Sequence, residues 1–519
     1  MRFAHSLLTV SGLTILSRLT GFLRDTLMAT FLGAGPLADA YVVAQRLPNV
    51  FRSLFAEGAF SAAFVPLYTA ERHTSGPHEA QRFAGESLAA LVAVLIPFSA
   101  LVILGMPWVL CVLAPGFHDT PATYETAVFL CRITFIYLLL ISVTVLQGSV
   151  LNAHGRFAPA AFSPVVFNLV LIAAFFVASP FAWPVATALA VAGVVAGVFQ
   201  VALLAWSCHR AGVSVPLLRP HLSHATRRLL RQIVPGAFGA GASQINLLLS
   251  TILASTLAPG ALAWLFYADR LNQLPLGVIG VAVATTLLPI LAQHVQTNNT
   301  EGLRHATSRA LEFCLALGLP AAVGLAVLSQ PIVHVLFEHG AFSASDAAAT
   351  ATALAAYAPG IPAFFLVRVF SARFFARHDT KTPVKIALCA VGANLILALL
   401  FLGPLGHIGL ALANSIASWV NALLLLRLLR TRKEGLTDQR LRQRQPRLVL
   451  CTAFMGLVAG TSSFLAQPWL VSPHVLVAGS ALGAIIGLAG LVYILALHVT
   501  GAFRVSEALA LFRRPKKAA

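Results

Sequence analysis

Four arginines stand in stretches that are otherwise apolar. Arg18 and Arg24 lie in SLLTVSGLTILSRLTGFLRDTLMATFLG, Arg52 in DAYVVAQRLPNVFRSLFAEGAF, and Arg270 follows Asp269 in YADRL. A charged side chain at the centre of a bilayer costs about 2.5–3.5 kcal/mol on insertion scales, so intramembrane charges mark wet cavities or substrate paths. A guanidinium forks onto two phosphate oxygens at once, which a lysine ammonium does not. None of these stretches contains lysine. The set is therefore suited to gripping an anion, most simply a phosphate-bearing one. Asp25, Asp39, Arg46, Glu57 and Asp269 accompany the four. Arg18 and Asp25 share a helical face, with Arg24 about 100° to the side. On an ideal helix Asp39, Arg46 and Glu57 align within about 20°, while Pro48 is expected to kink that helix and re-aim Arg52. Two readings stand for the mixed charges. They form internal ion pairs (Arg24 with Asp25, Arg46 with Asp39 or Glu57, Arg270 with Asp269), or they line a central cavity. Pairing alone does not explain why most other spans lack charge, and the arginines outnumber what nearby carboxylates neutralise comfortably. A cationic cavity follows.

The elements that would position these residues are membrane helices. The chain has 519 residues, 58% hydrophobic and 10% charged, where a soluble domain carries about 25% charged residues. Its mean hydropathy is +0.84. Continuous apolar runs of about 20 residues match the bilayer core and do not alternate as barrel strands do. Cutting at polar and Gly/Pro-rich gaps predicts about fourteen spans: 6–32, 37–70, 84–113, 123–151, 159–180, 184–207, 229–257, 262–293, 307–328, 346–375, 384–402, 406–428, 446–467 and 474–498. Gaps such as ERHTSGPHEAQR, ARHDTKTPVK and RTRKEGLTDQRLRQRQPR are basic, as is the tail FRRPKKAA. The alternate gaps, including GAGP, LAPGA and GPLGH, contain no Lys or Arg. By the positive-inside rule both termini are cytoplasmic. The same placement accounts for the formal charge of +18 without a nucleic-acid partner. No cleaved signal peptide is expected, because Arg18 interrupts the first apolar run.

Local patterns also return at a near-constant offset. AQRL at 44–47 echoes ADRL at 268–271, VPLYTA at 65–70 echoes LPILAQ at 288–293, and Pro159 matches Pro383. Duplicated halves of six spans follow. Residues 1–218 form an N-terminal lobe and 219–432 a C-terminal lobe. Residues 433–519 add spans 13 and 14 with the basic tail. Six being even, the pseudo-twofold should run along the membrane normal, and transporters build sites between such repeats. Arg132 and Arg368 are expected to snorkel, Glu312 to be a proton site or, by preference, a paired structural acid, His339 to sit in a loop, and Asn168 and Asn394 to hydrogen-bond between helices. Six scattered cysteines form no metal or disulfide framework, and no enzymatic motif occurs in a usable context.

SRLTGFLRD, LADAYVVAQRLPNVFRSLFAEGAFSAAFVPL, YADRL and KTPVKIA strongly resemble the MurJ/MviN family, the lipid II flippases of bacterial peptidoglycan synthesis. The resemblance spans essentially the whole chain. It implies the multidrug/oligosaccharidyl-lipid/polysaccharide exporter superfamily, two six-helix lobes in a V around a cavity, and a lipid-tail groove on spans 13 and 14. It further implies a transporter of the bacterial inner membrane rather than an enzyme, with lipid II and membrane lipids as partners alongside the peptidoglycan synthesis and division machinery. The family's cavity residues fall on Ser17, Arg18, Arg24, Asp25, Asp39, Arg52 and Arg270. Gln273 departs from the acid that some relatives carry there. Span 7 reads QINLLLSTILAS, without the acid that some relatives use for sodium. No cofactor is implied, and the coupling ion (proton, sodium or chloride) stays open. The alternatives are a flippase for another undecaprenyl-linked saccharide and a cation-coupled multidrug exporter of the same superfamily.

Overall fold

Runs of Leu, Val, Ala, Ile and Phe without interior turn signals leave the backbone one economical solution in lipid, the α-helix, which satisfies its own hydrogen bonds. The computed structural model describes residues 2–55, 59–178, 183–218, 223–431, 435, 437–472 and 474–502. Glu57 and the basic tail lie outside the described residues. The first half holds α1 (Arg2–Leu32), α2 (Pro36–Phe55), α3 (Ala59–Thr74), α4 (Pro77–Leu104), α5 (Met106–Leu113), α6 (Pro121–Phe135), α7 (Tyr137–Ala153), α8 (Ala158–Ala178) and α9 (Val185–Arg210). A 3-10 turn covers Pro115–Asp119 between α5 and α6. There follow α10 (His224–Ser255), α11 (Ala261–Gln296), α12 (Thr300–Val327), α13 (Ser329–Phe337), α14 (Ala344–Tyr357), α15 (Gly360–Phe375) and α16 (Lys381–Thr431). The last three are α17 (Gln439–Leu465), α18 (Gln467–Leu470) and α19 (Val475–Thr500).

Where their residues are described, the expected spans fall largely on helix, with 84–113, 123–151 and 346–375 each divided between two consecutive helices. Nine stretches among the described residues are long and apolar enough to cross a membrane. α16 is two helices joined at Gly406, whose φ of +53° and ψ of −129° break the helical path, and this matches the expected division near 402–406. α2 runs through Pro48 to Phe55. Proline at the first turn opens α2, α4 and α6, where its missing N–H leaves no orphan.

The chain divides into two compact units. One comprises 1–263 with 339–343, and the other 264–338 with 344–519. α10, expected to open the second repeat, thus packs with the first unit, so the packing boundary falls later in the chain than the expected lobe boundary at 218. The first unit's core stacks Phe60, Phe64, Tyr68 and Phe83 between α3 and α4. α1 ends at Gly33, whose φ is +68° and where a Cβ would come within 2.6 Å of the Ala341 carbonyl oxygen. The Ala341 N–H donates to the Thr30 carbonyl at 2.8 Å, which occupies one orphan acceptor of that helix end. The second unit centres on Phe365, Val369, Phe370 and Phe374 with Leu291, Leu311, Leu425 and Leu441. Outward-facing apolar residues such as Leu476 and Val499 on α19 are 87% and 84% exposed. Such a helix surface is stable against lipid and not against water.

Candidate functional site

The first unit carries most of the predicted residues. On α1, Arg24 donates from Nε and Nη2 to Asp25 Oδ1 at 3.0 and 2.6 Å. Its Nη1 donates to Asn168 Oδ1 of α8 at 3.0 Å. The two side chains are 11% and 5% exposed. Of the two sequence readings, ion pairing therefore holds for Arg24 with Asp25. A guanidinium has five N–H donors. Three are engaged here, which leaves one on each terminal nitrogen for a further acceptor. Arg18 sits six residues earlier and is exposed, while Ser17 beside it is half-buried. Six residues of helix rise about 9 Å, so Arg18 stands well toward the basic end of α1 from Arg24.

On α2, Arg52 is half-buried and donates from Nε to Asn49 Oδ1 at 3.2 Å. Arg46 Nη1 donates to Thr251 Oγ1 of α10 at 2.9 Å, and Gln244 Nε2 of α10 donates to Ser53 Oγ at 3.0 Å. α2 and α10 are thus tied by polar contacts along their length. Asp39 is 4% exposed, and its role is specific. Its two carboxylate oxygens accept from the Gly260 N–H at 2.6 Å and the Ala263 N–H at 2.8 Å. Those amides are orphan donors at the start of α11, and a carboxylate there also meets the positive end of the helix dipole. Asp39 holds the N-terminus of the helix that carries Asp269 and Arg270.

In the second unit, the Arg270 guanidinium lies 4.7 Å from the centroid of the Phe266 ring one turn earlier, a cation–π contact that holds the charge against the helix. Gln273 donates from its amide to Asp269. Glu312, 1% exposed, accepts from Arg309 and from Arg444 of α17, and Arg440 Nε is 3.8 Å away. This bears out the expectation of a paired structural acid. Arg309 also donates from Nη2 to Asp438 at 2.6 Å. Asp438 caps α17 by accepting from the Leu441 N–H at 2.8 Å. Arg368 lies 5.0 Å from the Phe364 ring centroid, exposed Arg132 reaches the Ile103 carbonyl at 3.2 Å, and His339 lies in the bend after α13.

Asp438 lies outside the spans, and its titration follows from these contacts. Burial alone would raise its carboxyl, but the Leu441 amide and the Arg309 guanidinium outweigh it and hold the carboxyl below the usual carboxylate range. A depressed folded-state value contributes stability that is present above the unfolded value and lost as pH falls through the folded one. The unfolded value is about 3.9. Asp438→Asn keeps a competent helix cap and removes the charge. The expected result is a melting temperature below wild type at pH 7, with the gap closing as pH falls below about 4. Thermal melts of the detergent-solubilised protein across that range check it; a gap independent of pH would remove the charge from the account.

A family model described as "Lipid II flippase MurJ" matches residues 28–479. The chain belongs to the MurJ family. The matched range holds Asp39, Arg46, Arg52, Asp269, Arg270 and Gln273, while Ser17, Arg18, Arg24 and Asp25 precede it. A probable lipid II flippase MurJ of Rhizobium meliloti (strain 1021) is 41% identical over 481 residues, covering 91% of this chain and 88% of that one. A solved structure of lipid II flippase MurJ in an inward closed conformation has a TM-score of 0.78 and 26% identity, covering 97% of this chain and 99% of that one. An inward-facing multidrug resistance MATE family transporter of the MOP superfamily shares the fold at a TM-score of 0.68 and 15% identity, over 83% of this chain and 98% of that one. The MurJ likeness thus covers both halves and the spans beyond them.

Among the predicted residues, the structure pairs Arg24 with Asp25 on α1 and joins Arg24 to α8, ties Arg46 to α10, and puts Asp39 on the start of α11. Sequence reasoning missed three partners: Thr251, the Gly260 and Ala263 amides, and the joint hold of Asn168 on Arg24 and the α1 backbone. For Asn168 a signal existed, because apart from Ser163 it is the one polar side chain of α8.

Proposed function

We propose that this chain is a lipid II flippase, a transporter and not an enzyme. It moves the undecaprenyl-pyrophosphate-linked peptidoglycan precursor from the cytoplasmic to the periplasmic leaflet of the bacterial inner membrane, crossing it about fourteen times with both termini in the cytoplasm. The observation that carries this reading is membership of the MurJ family over nearly the whole chain. In this reading Arg18, Arg24, Arg52 and Arg270 take the diphosphate, and the tail stays in lipid or along α17 and α19. Arg24 supports it, having two N–H donors beyond those held by Asp25 and Asn168. Substrate drives alternating access only by binding the occluded state better than the open one, and several guanidinium groups on one diphosphate supply that difference. Resetting returns clustered positive charge toward a negative cytoplasm, and one charge moved through 100 mV is worth about 2.3 kcal/mol.

The deciding experiment is depletion of the protein in its host, followed by identification of the lipid-linked precursor on the inner leaflet. Lipid II is expected to accumulate there while its outer-leaflet pool falls. Accumulation of a different undecaprenyl-linked saccharide would instead make the chain a flippase for that lipid.

A further inference from the structure

Ser17, Thr20, Gly21 and Arg24 recur at i, i+3, i+4 and i+7 on α1 and so form one face. One side chain from α8 meets that whole face. Asn168 Nδ2 donates to the Ser17 carbonyl at 3.0 Å and to Thr20 Oγ1 at 3.3 Å, and its Oδ1 accepts from Arg24 Nη1 at 3.0 Å. At Gly21 a Cβ would lie 3.3 Å from the same Nδ2, so the missing side chain leaves room for the amide. Asn168 is 6% exposed. The orientation of its carboxamide is decided by its neighbours, since the reverse would set NH2 against guanidinium and carbonyl against carbonyl.

Helix–helix adhesion would need only the contact with the α1 backbone. The contact with Arg24 adds something else. Arg24 is otherwise held by Asp25, its neighbour on the same helix, and by one carboxylate oxygen alone. A single acceptor atom leaves the guanidinium plane free to swing about it. Asn168 adds a second point, on a different helix, at the opposite terminal nitrogen. We propose that Asn168 is a positioning residue for substrate. It anchors on α1 through Ser17 and Thr20 and fixes the plane of Arg24, so that the two N–H groups left over are held ready for a diphosphate oxygen. This rests on the reading of Arg24 as a diphosphate ligand. It adds that the grip depends on a neutral amide that binds no substrate itself.

The test uses full-length protein in lipid nanodiscs with lipid II as the probe, reading binding affinity and melting temperature together. Asn168→Ala is expected to weaken lipid II binding at least tenfold. In an Arg24→Ala background the same change should cost less than twofold, because nothing remains to be positioned. Gly21→Ala keeps the amide but presses a methyl against it, and should weaken binding three- to tenfold. If Asn168→Ala does not accumulate, Gly21→Ala with and without Arg24→Ala decides the matter. The proposal is overturned if Asn168→Ala lowers only the melting temperature while folded protein binds normally, or if the losses multiply in the double variant. Normal binding by Arg24→Ala would sink the ligand reading and this proposal with it. Weak binding by Arg24→Ala beside normal binding by both Asn168→Ala and Gly21→Ala sinks this proposal alone.

Discussion

Arg24→Ala is expected to abolish growth support in cells depleted of the wild-type protein, while the variant inserts and accumulates normally. Two of its N–H groups are available to a phosphate, and hydrogen bonds to charged groups contribute about 1.5–3 kcal/mol each. Losing two costs about 3–6 kcal/mol, or roughly 10²–10⁴-fold in affinity at about 1.4 kcal/mol per decade. The substitution also removes one partner of Asp25, 3% exposed, so Arg24→Ala/Asp25→Asn is the control that separates lost grip from a perturbed buried carboxylate. Arg24→Lys keeps the charge without the fork and is expected to recover only part of the loss. Arg270→Ala should give the same growth defect from the second unit, where the Phe266 ring lies against the guanidinium. Lipid II flipping in reconstituted vesicles is the direct readout. Wild-type flipping by either single variant removes that arginine from the mechanism.

The second large effect is on stability. Glu312 lies almost wholly buried between Arg309 and Arg444, with Arg440 nearby, and it joins α17 to α12. Removing one partner of a buried ion pair leaves uncompensated charge and costs about 3–5 kcal/mol. Glu312→Gln conserves volume and loses that charge, so a marked fall in melting temperature is expected. Protease cleavage between α16 and α17 should rise with it, because α17 loses its polar anchor to α12. Tyr493 still donates to the Ala316 carbonyl at 2.7 Å, so α19 keeps one tie. Glu312→Gln with Arg444→Gln should recover part of the loss, since the double change removes opposite charges together. An unchanged melting temperature in Glu312→Gln would mean that the cluster is solvated in the membrane-embedded protein.

The two sets of charges differ in how far the chain alone reveals their role. Glu312 stood out as an acid in an apolar span, readable as a proton site or a paired structural acid, and only the fold supplies its partners Arg309 and Arg444. Asp39 aligns with Arg46 and Glu57 on one predicted helix face, which left ion pairing and cavity lining both open. Its role at the start of α11 depends on residues 221 and 224 positions away. Arg24 with Asp25 was legible as a neighbouring pair. The third hold on that guanidinium comes from Asn168, 144 positions away, and a lone asparagine in a span signals a hydrogen bond without naming its partner.

The helical membrane class, the places where helices form and the alternation of basic gaps were all determined by the sequence itself. Bilayer thickness turns hydropathy into segment length, and positive charge sets each loop's side, so both can be read locally along one dimension. Which polar groups meet was decided only by tertiary packing. In lipid every buried donor must find an acceptor on some helix, and many helices are equally apolar. Choosing α8 for Arg24, α10 for Arg46 and the first turn of α11 for Asp39 is a property of the folded bundle.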